Sequence, residues 1–185
     1  LRRLTIPRRR ESPFPPYINM TLRKIYLPNQ CYFLTTNVLN KSWIFGRLEN
    51  NIYVPVIQLC DNIIKDLNFY RQKFQFQLHG YVIMPNHIHL ILTIGNVGNI
   101  SDIMRDYKSY TSYEINKLLK KKSGFWQEDF YEHSIRNEQD FTEKMNYIHH
   151  NPVRAKLVKD PGDFKYSSYR NYYLNDNSVI KIDKI

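Results

Sequence analysis

The chain has 185 residues, with 27 Lys and Arg against 17 Asp and Glu and a formal net charge of +10. This length indicates one domain, no apolar run approaches the ~20 residues of a membrane-spanning helix, and the isolated cysteines Cys31 and Cys60 argue against a zinc ribbon or a disulfide framework. The basic surplus, with 15 Tyr and 10 Phe, favours a nucleic-acid partner, since cations bind phosphates and rings stack on unpaired bases. A basic composition without such a partner is the alternative.

Residues 1–19 contain five Arg and four Pro and lack the apolar core of a signal peptide. We expect them to form a flexible basic arm, and one interpretation is that they precede a natural start at Met20. The folded domain is then expected over residues 20–170, and a tail over residues 171–185.

Hydrophobic periodicity predicts elements in the order β-α-β-β-α-β-α. Strands are predicted over residues 30–38, 74–84, 86–94 and 130–136, and helices over residues 51–69, 101–121 and 138–150. Residues 40–50 are interpreted as a connection, and Pro55 suits the first turn of the helix that follows. Asn137 is the expected N-cap of the last helix. The Asn151-Pro152 pair is expected to stop that helix, because the residue before a proline disfavours the helical conformation.

The first six predicted elements match the ferredoxin-like arrangement, an antiparallel sheet with its helices on one face. The seventh element adds a C-terminal helix that carries Tyr147. The predicted fold class is therefore α+β. Because this fold serves many functions, the chemistry has to be argued from the side chains.

Two histidines flank an isoleucine in the third predicted strand. Since a strand turns successive side chains to opposite faces, His87 and His89 share one face while Ile88 points to the core. Two imidazoles in this arrangement on a rigid strand can bind one metal ion. The alternative is a chance His-x-His pattern on a solvated strand face, because the chain contains six histidines.

The last predicted helix carries one tyrosine away from its apolar stripe. The stripe consists of Phe141, Met145 and Ile148, and Tyr147 lies about 240° round from Phe141 at ~100° per residue. Asn151 would share the side of Tyr147 if the helical turn persists that far. Spacing alone does not prefer Tyr147 to the tyrosines of the preceding Lys-rich helix, which are Tyr107, Tyr110 and Tyr113.

Four segments carry a resemblance to a known family. They are GYVIMPNHIHLIL (80–92), IMRDYKSYTSYEIN (103–116), WQEDFYEHSIRNEQDF (126–141) and YIHHNPVRAKLV (147–158). In this order and spacing they resemble the REP-associated tyrosine transposases, which are single-tyrosine HUH (His-hydrophobic-His) transposases. The resemblance covers roughly residues 22–170 and does not include the N-terminal arm.

The resemblance implies a metal-dependent enzyme that cuts and joins DNA. It assigns His87 and His89 as ligands of a divalent metal, Mg²⁺ or Mn²⁺, of which Mn²⁺ suits imidazole better. It assigns Tyr147 as the nucleophile and Asn151 as the third ligand. His133 matches a recurrent family position and has two interpretations, an assisting catalytic group or a structural histidine.

The implied substrate is single-stranded DNA near short palindromic hairpins, cleaved through a 5′-phosphotyrosine bond that a 3′-hydroxyl can later reverse. The expected DNA-binding residues are Arg105, Lys108, Arg154 and Lys156. Lys108 or His133 could help to deprotonate Tyr147. A monomer or homodimer without a membrane partner is expected, in the bacterial cytoplasm and associated with the nucleoid.

Three alternatives stay open at this point. The first is a non-catalytic protein that holds single-stranded RNA or DNA on the aromatic residues of its sheet. The second is a metal-dependent hydrolase that uses water as its nucleophile. The third is a domesticated transposase that keeps the chemistry and serves its host.

Overall fold

The computed structural model describes residues 26–122 and 124–185 of the chain. The strands are β1 Cys31–Asn37, β2 Gly46–Glu49, β3 Ile52–Pro55, β4 Gln77–Met84, β5 His87–Thr93 and β6 Tyr131–Ser134. The helices are α1 Ile57–Phe74, α2 Ile100–Leu119, α3 Glu138–Arg154 and α4 Tyr169–Tyr173. The predicted basic arm over residues 1–19 lies outside the described residues.

The main sheet is antiparallel and has the strand order β4-β5-β1-β6. A tight turn at Pro85 and Asn86 joins β4 to β5. With α1 between β1 and β4, and α2 between β5 and β6, the chain follows the ferredoxin-like order of strands and helices. The predicted α+β, ferredoxin-like fold is therefore confirmed.

The two faces of this sheet bury different helices, and β5 shows why. Ile88, Leu90 and Leu92 pack into the core cluster that α1 and α2 complete. Ile91 points the other way and packs with Met145 of α3. Because successive residues of a strand face opposite sides, one strand contributes to both cores. We refer to these as the α1–α2 face and the α3 face of the sheet.

Between β1 and α1 the chain forms a separate hairpin, in which β2 pairs with β3. The turn residues Asn50 and Asn51 have φ values of 51° and 63°, the left-handed pair that a two-residue hairpin turn needs and that asparagine tolerates. The β-branched and aromatic residues at 52–54 then favour a strand. The prediction of a helix from residue 51, with Pro55 in its first turn, is therefore wrong, because Pro55 ends β3 and α1 begins only after it.

α3 continues past the Asn151-Pro152 pair, so the prediction that this pair stops the helix is wrong. Pro152 has no N–H and loses one helical hydrogen bond, but it lies in the last turn, where Ala155 N still donates to Asn151 O at 2.9 Å. Its ring is buried in the protein. As a result Asn151 and Arg154 belong to the helix and lie on the same side as Tyr147, one and two turns further along.

The chain after α3 returns to β4 and covers its outer edge. Ile83 N donates to Tyr166 O at 3.0 Å, and further along the side chains of Ile180 and Ile182 are buried against the core of the α1–α2 face. The opposite edge of the sheet, at β6, lies next to the start of α3. Among the helices of the described residues, none has the length and apolar character that crossing a membrane requires.

Candidate active site

His87 and His89 lie side by side on the α3 face, with their Nε2 atoms 3.1 Å apart. Burial is the main reason that the pKa of His87 falls to about 4 and that of His89 to about 3, and positive neighbours add to both effects. Both imidazoles are therefore neutral at neutral pH. The neutral ring is the form that binds a metal ion.

Contacts at the other ring nitrogens hold both imidazoles in place. His87 Nδ1 lies 2.6 Å from Asn86 Oδ1, and His89 Nδ1 lies 2.7 Å from Thr35 Oγ1. Since an amide oxygen only accepts hydrogen bonds, neutral His87 donates from Nδ1 and keeps an unprotonated Nε2. Such contacts set both the tautomer and the orientation of a metal-binding histidine.

α3 brings an amide to the histidine pair. The Asn151 amide nitrogen lies 3.0 Å from His89 Nε2. A half-turn of this amide exchanges nitrogen for oxygen at nearly the same position, because the two groups differ little in size. The amide oxygen could then bind a metal ion together with the Nε2 atoms of His87 and His89. This placement depends on the continuation of α3 through Pro152.

These donors fit a divalent cation. The two Nε2 atoms lie 3.1 Å apart, a distance at which a proton on His89 can join them in a hydrogen bond or a cation can take the place of that proton. Imidazole suits transition metals and an amide oxygen suits Mg²⁺ or Mn²⁺, so Mn²⁺ satisfies both donor types. Within residues 26–122 and 124–185, no three His, Cys, Asp or Glu side chains are grouped so that they could hold a metal ion. In this part of the chain the third protein donor would thus be the Asn151 amide.

Tyr147 lies over the same site in the same chain. Its ring centroid is 5.3 Å from that of His89 and 5.9 Å from that of Phe33, both edge to face. The guanidinium carbon of Arg154 lies 4.5 Å from the centroid of the Tyr147 ring. Tyr147 is nevertheless 41% exposed, so a large substrate can reach its phenol.

The other candidate tyrosines lie on α2, on the far side of the sheet. Tyr107 is buried in the core of the α1–α2 face. Tyr110 and Tyr113 are exposed, but they belong to the same helix. The sheet therefore separates all three from His87 and His89, and the fold distinguishes Tyr147 where spacing could not.

Comparisons with known proteins identify the family of this chain. The family model described as "Transposase IS200 like" matches residues 53–151, more than half of the chain. The chain belongs to this transposase family. The REP-associated tyrosine transposase of Escherichia coli K12 is 27% identical to it over 150 residues, which cover 80% of this chain and 81% of that protein.

A solved structure has the same fold as this IS200-like transposase. It is the structure of a REP-associated tyrosine transposase bound to a REP hairpin, with a TM-score of 0.66 and 23% identity over 88% of this chain and 90% of the other. The predicted resemblance to REP-associated tyrosine transposases is confirmed by the family match and by these relatives.

In this transposase His133 lies apart from the histidine pair. It is on β6 opposite Phe33, and its Nε2 is 2.8 Å from Asp140 Oδ2 in the first turn of α3. The same carboxylate oxygen accepts a hydrogen bond from Arg136 N at 3.1 Å. The contact therefore ties β6 to the start of α3, which favours the structural interpretation of His133.

The four basic residues that were expected to bind DNA lie on two faces of the transposase. Arg154 is in the site, and Lys156 lies two residues after the end of α3 in the left-handed conformation, with φ 57°. Arg105 and Lys108 are on α2, beyond the sheet, where Arg105 pairs with acidic residues of its own helix. Lys108 Nζ donates to Glu128 O at 2.6 Å. The sheet separates this lysine from Tyr147.

Phe33 and Thr35 of β1 form the floor of the site, beneath the histidine and tyrosine rings. The sequence pattern of β1 did not indicate a functional role for them. Phe33 stacks on the His89 ring at a centroid distance of 5.3 Å, and Thr35 holds Nδ1 of the same ring. Lys144 of α3 places its Nζ 5.7 Å from the Phe33 centroid. The sequence offered little signal for these residues, because the adjacent Thr36 is equally polar and is buried on the other face of the strand.

Proposed function

We propose that this chain is a transposase-type endonuclease and strand transferase that cleaves and rejoins single-stranded DNA near hairpins. Tyr147 is the nucleophile, and His87, His89 and Asn151 hold a divalent metal ion. The observation that carries the proposal is the packing of the Tyr147 ring 5.3 Å from the His89 ring within one chain. Every group of the proposed site comes from one copy of the chain.

The proposed reaction exchanges one phosphate ester for another. The Tyr147 phenol loses its proton and its oxygen forms a bond to phosphorus, while the bond from phosphorus to the 3′-oxygen breaks. The 3′-oxygen takes up a proton and leaves as a hydroxyl, and the 5′-phosphate stays on Tyr147. Because an ester bond is retained, a 3′-hydroxyl can later attack the phosphotyrosine and rejoin the strand. Attack by water would leave no phosphotyrosine ester through which the strand could be rejoined.

The side chains around Tyr147 have complementary roles in this proposal. Arg154 packs against the phenol ring and offers its guanidinium to the phosphate. A bound divalent ion would polarise the scissile phosphate and stabilise the negative charge of the transition state. His87 and His89 would bind that ion through Nε2, while Asn86 and Thr35 keep the two rings oriented.

Charge and relatives support DNA as the substrate. The net charge of +10 favours a polyanion, and the solved relative is bound to a REP hairpin, which supports a palindromic hairpin as the element recognised here. Arg154 and Lys156 are the proposed contacts near the cleaved phosphate. Arg105 and Lys108 are proposed contacts only for DNA that extends round to the α1–α2 face.

The test uses labelled single-stranded DNA that carries a palindromic hairpin and its flanks from beside the gene. In Mn²⁺ the wild-type chain should form a DNA–protein adduct that survives denaturing electrophoresis, and in EDTA it should form none. Tyr147→Phe should form no adduct in either. Cleavage without an adduct would indicate a hydrolase that uses water, and binding without cleavage would indicate a non-catalytic binder. Either result contradicts the proposal.

A further inference from the structure

Tyr131 is an exposed tyrosine in the same row of the sheet as His89. It is the first residue of β6 and is 55% exposed. Thr35 of β1 pairs with His89 on one side and with Tyr131 on the other. Directly paired residues of antiparallel strands point to the same face, so these three side chains form one row on the α3 face. Two strand spacings, about 10 Å, separate Tyr131 from His89.

The Tyr131 ring rests against the aromatic floor of the site. Its centroid is 6.1 Å from that of Phe33, with an interplanar angle of 67°. Phe33 in turn stacks on His89 and meets the edge of Tyr147. The exposed ring is therefore positioned by the same residue that packs against the nucleophile and a candidate metal ligand.

Cations lie along the α3 side of this floor. Lys144 Nζ is 5.7 Å from the Phe33 centroid, and the Arg154 guanidinium carbon is 4.5 Å from the Tyr147 centroid. An exposed ring bordered by cations matches a single nucleic-acid strand, in which flat bases alternate with phosphates. An apolar protein partner would bury those cations without adding any negative charge, so the charge pattern favours DNA as the occupant.

We propose that Tyr131 stacks on a base of single-stranded DNA next to the phosphate that Tyr147 attacks. This inference rests on the proposed function and adds the contact that holds the strand across β1 and β6. Stacking on an aromatic face tolerates any base, because every base has a flat π surface. The contact should act on unpaired strands and little on a duplex, whose bases are already stacked on one another.

The test measures binding of short labelled oligo(dA) and oligo(dT) in EDTA, where no cleavage is expected. Tyr131→Ala should bind about tenfold more weakly, the usual scale for one lost base–aromatic contact. Tyr131→Phe keeps the ring and should stay within about twofold of wild type. Tyr173→Ala, which removes a comparably exposed tyrosine of α4, should bind as wild type does. The salt dependence should not change in Tyr131→Ala, because no phosphate contact is lost.

Adduct formation by the wild-type chain is measured in parallel, so that the two proposals can fail separately. Equal affinities of wild type and Tyr131→Ala, with adduct formation intact, would overturn the stacking contact and leave the proposed function standing. Equal losses in Tyr131→Ala and Tyr131→Phe would also overturn it, because the ring is kept in one of them. If the wild-type chain forms no adduct and Tyr131→Ala binds DNA more weakly than wild type, the stacking contact is supported and the proposed function is overturned. Unchanged thermal unfolding of the variants shows that they are folded.

Discussion

The two faces of the main sheet use the same strand for different purposes. On the α1–α2 face, Leu90 and Leu92 of β5 are buried in the larger core. On the α3 face, His87 and His89 of the same strand direct their Nε2 atoms toward a site that an exposed Tyr147 overlies. A strand that is packed rigidly on one side can hold metal-binding side chains accurately on the other. The packing of the α1–α2 face therefore fixes the positions of the histidines on the α3 face.

One hydrogen-bonded chain of side chains on the α1–α2 face contrasts with the histidine pair on the α3 face. On the α1–α2 face, Trp126 Nε1 donates to Thr111 Oγ1 at 2.8 Å, and that hydroxyl donates to Tyr107 O at 2.7 Å. This chain of bonds is complete within the protein, and it stabilises α2 against the loop before β6. On the α3 face the Nε2 atoms of His87 and His89 contact each other and the Asn151 amide, which are the three groups proposed to hold a metal ion. Substitutions on the two faces should therefore affect different properties.

The largest expected effect is on the α3 face, from Tyr147→Phe. This change removes the nucleophilic oxygen and keeps the ring that packs on Phe33 and Arg154. Adduct formation should fall by at least about a thousandfold, while the free energy of unfolding stays within about 0.5 kcal/mol of wild type. Denaturing electrophoresis and urea unfolding measure the two quantities. An adduct that persists would mean that another tyrosine attacks.

The next effect compares two positions of β5 whose side chains lie on opposite faces of the sheet. Leu90→Ala removes a buried side chain from the core of the α1–α2 face and should lower the free energy of unfolding by about 2–5 kcal/mol. His87→Ala, on the other face, should change it by about 1 kcal/mol or less and abolish adduct formation in Mn²⁺. Unfolding and adduct assays on both variants check this. A Leu90→Ala chain as stable as wild type would mean that the two faces do not differ as described.

Local sequence rules predicted most of the fold and failed where a specific turn or helix end overrode them. The alternation in β5 and the long stripe of α2 are strong signals, so the ferredoxin-like order could be predicted. The hairpin of β2 and β3 could not, because its strands are short and its turn uses Asn50 and Asn51 in place of glycine. Pro152 misled in the other direction, since α3 continues through it and loses one helical hydrogen bond while the proline ring is buried.

The candidate site was less predictable than the fold. Strand alternation alone pairs His87 with His89, but with 15 tyrosines in the chain only the family resemblance singled out Tyr147. The contribution of Phe33 and Tyr131 depends on the register of β1 against β5 and β6. No hairpin turn joins β1 to β5 or to β6, since other elements lie between them along the chain, so turn geometry does not give their register and these residues needed the structure.

A smaller effect concerns a charge on the α1–α2 face. Burial, and to a lesser extent Glu114 of α2, raises the pKa of Asp66 from 3.8 to about 6, and Lys65 only partly opposes this. Because the folded chain then binds more protons than the unfolded chain between these values, Asp66 lowers stability progressively as pH rises through that window. Asp66→Asn should raise the free energy of unfolding by about 1–2 kcal/mol near pH 7 and change it little near pH 4. Urea unfolding at both pH values, with adduct formation as the control, tests this; an equal gain at both pH values would contradict the charge explanation.

The smallest expected effect separates the basic residues of the two faces. Arg154 borders the proposed path of the phosphates, so Arg154→Ala should reduce the slope of log affinity against log salt by about 0.7, the value for one lost contact to a single strand. Arg154→Lys keeps the charge and should keep the slope, even if it loses the packing on Tyr147. Arg105→Ala should change the slope less, because Asp102 and Asp106 already balance that guanidinium. Titrations of oligo(dT) over a range of salt concentrations measure all three slopes. Equal changes in this slope for Arg154→Ala and Arg105→Ala would mean that the DNA strand contacts both faces of the sheet equally. The α3 face would then not be the main DNA-binding surface.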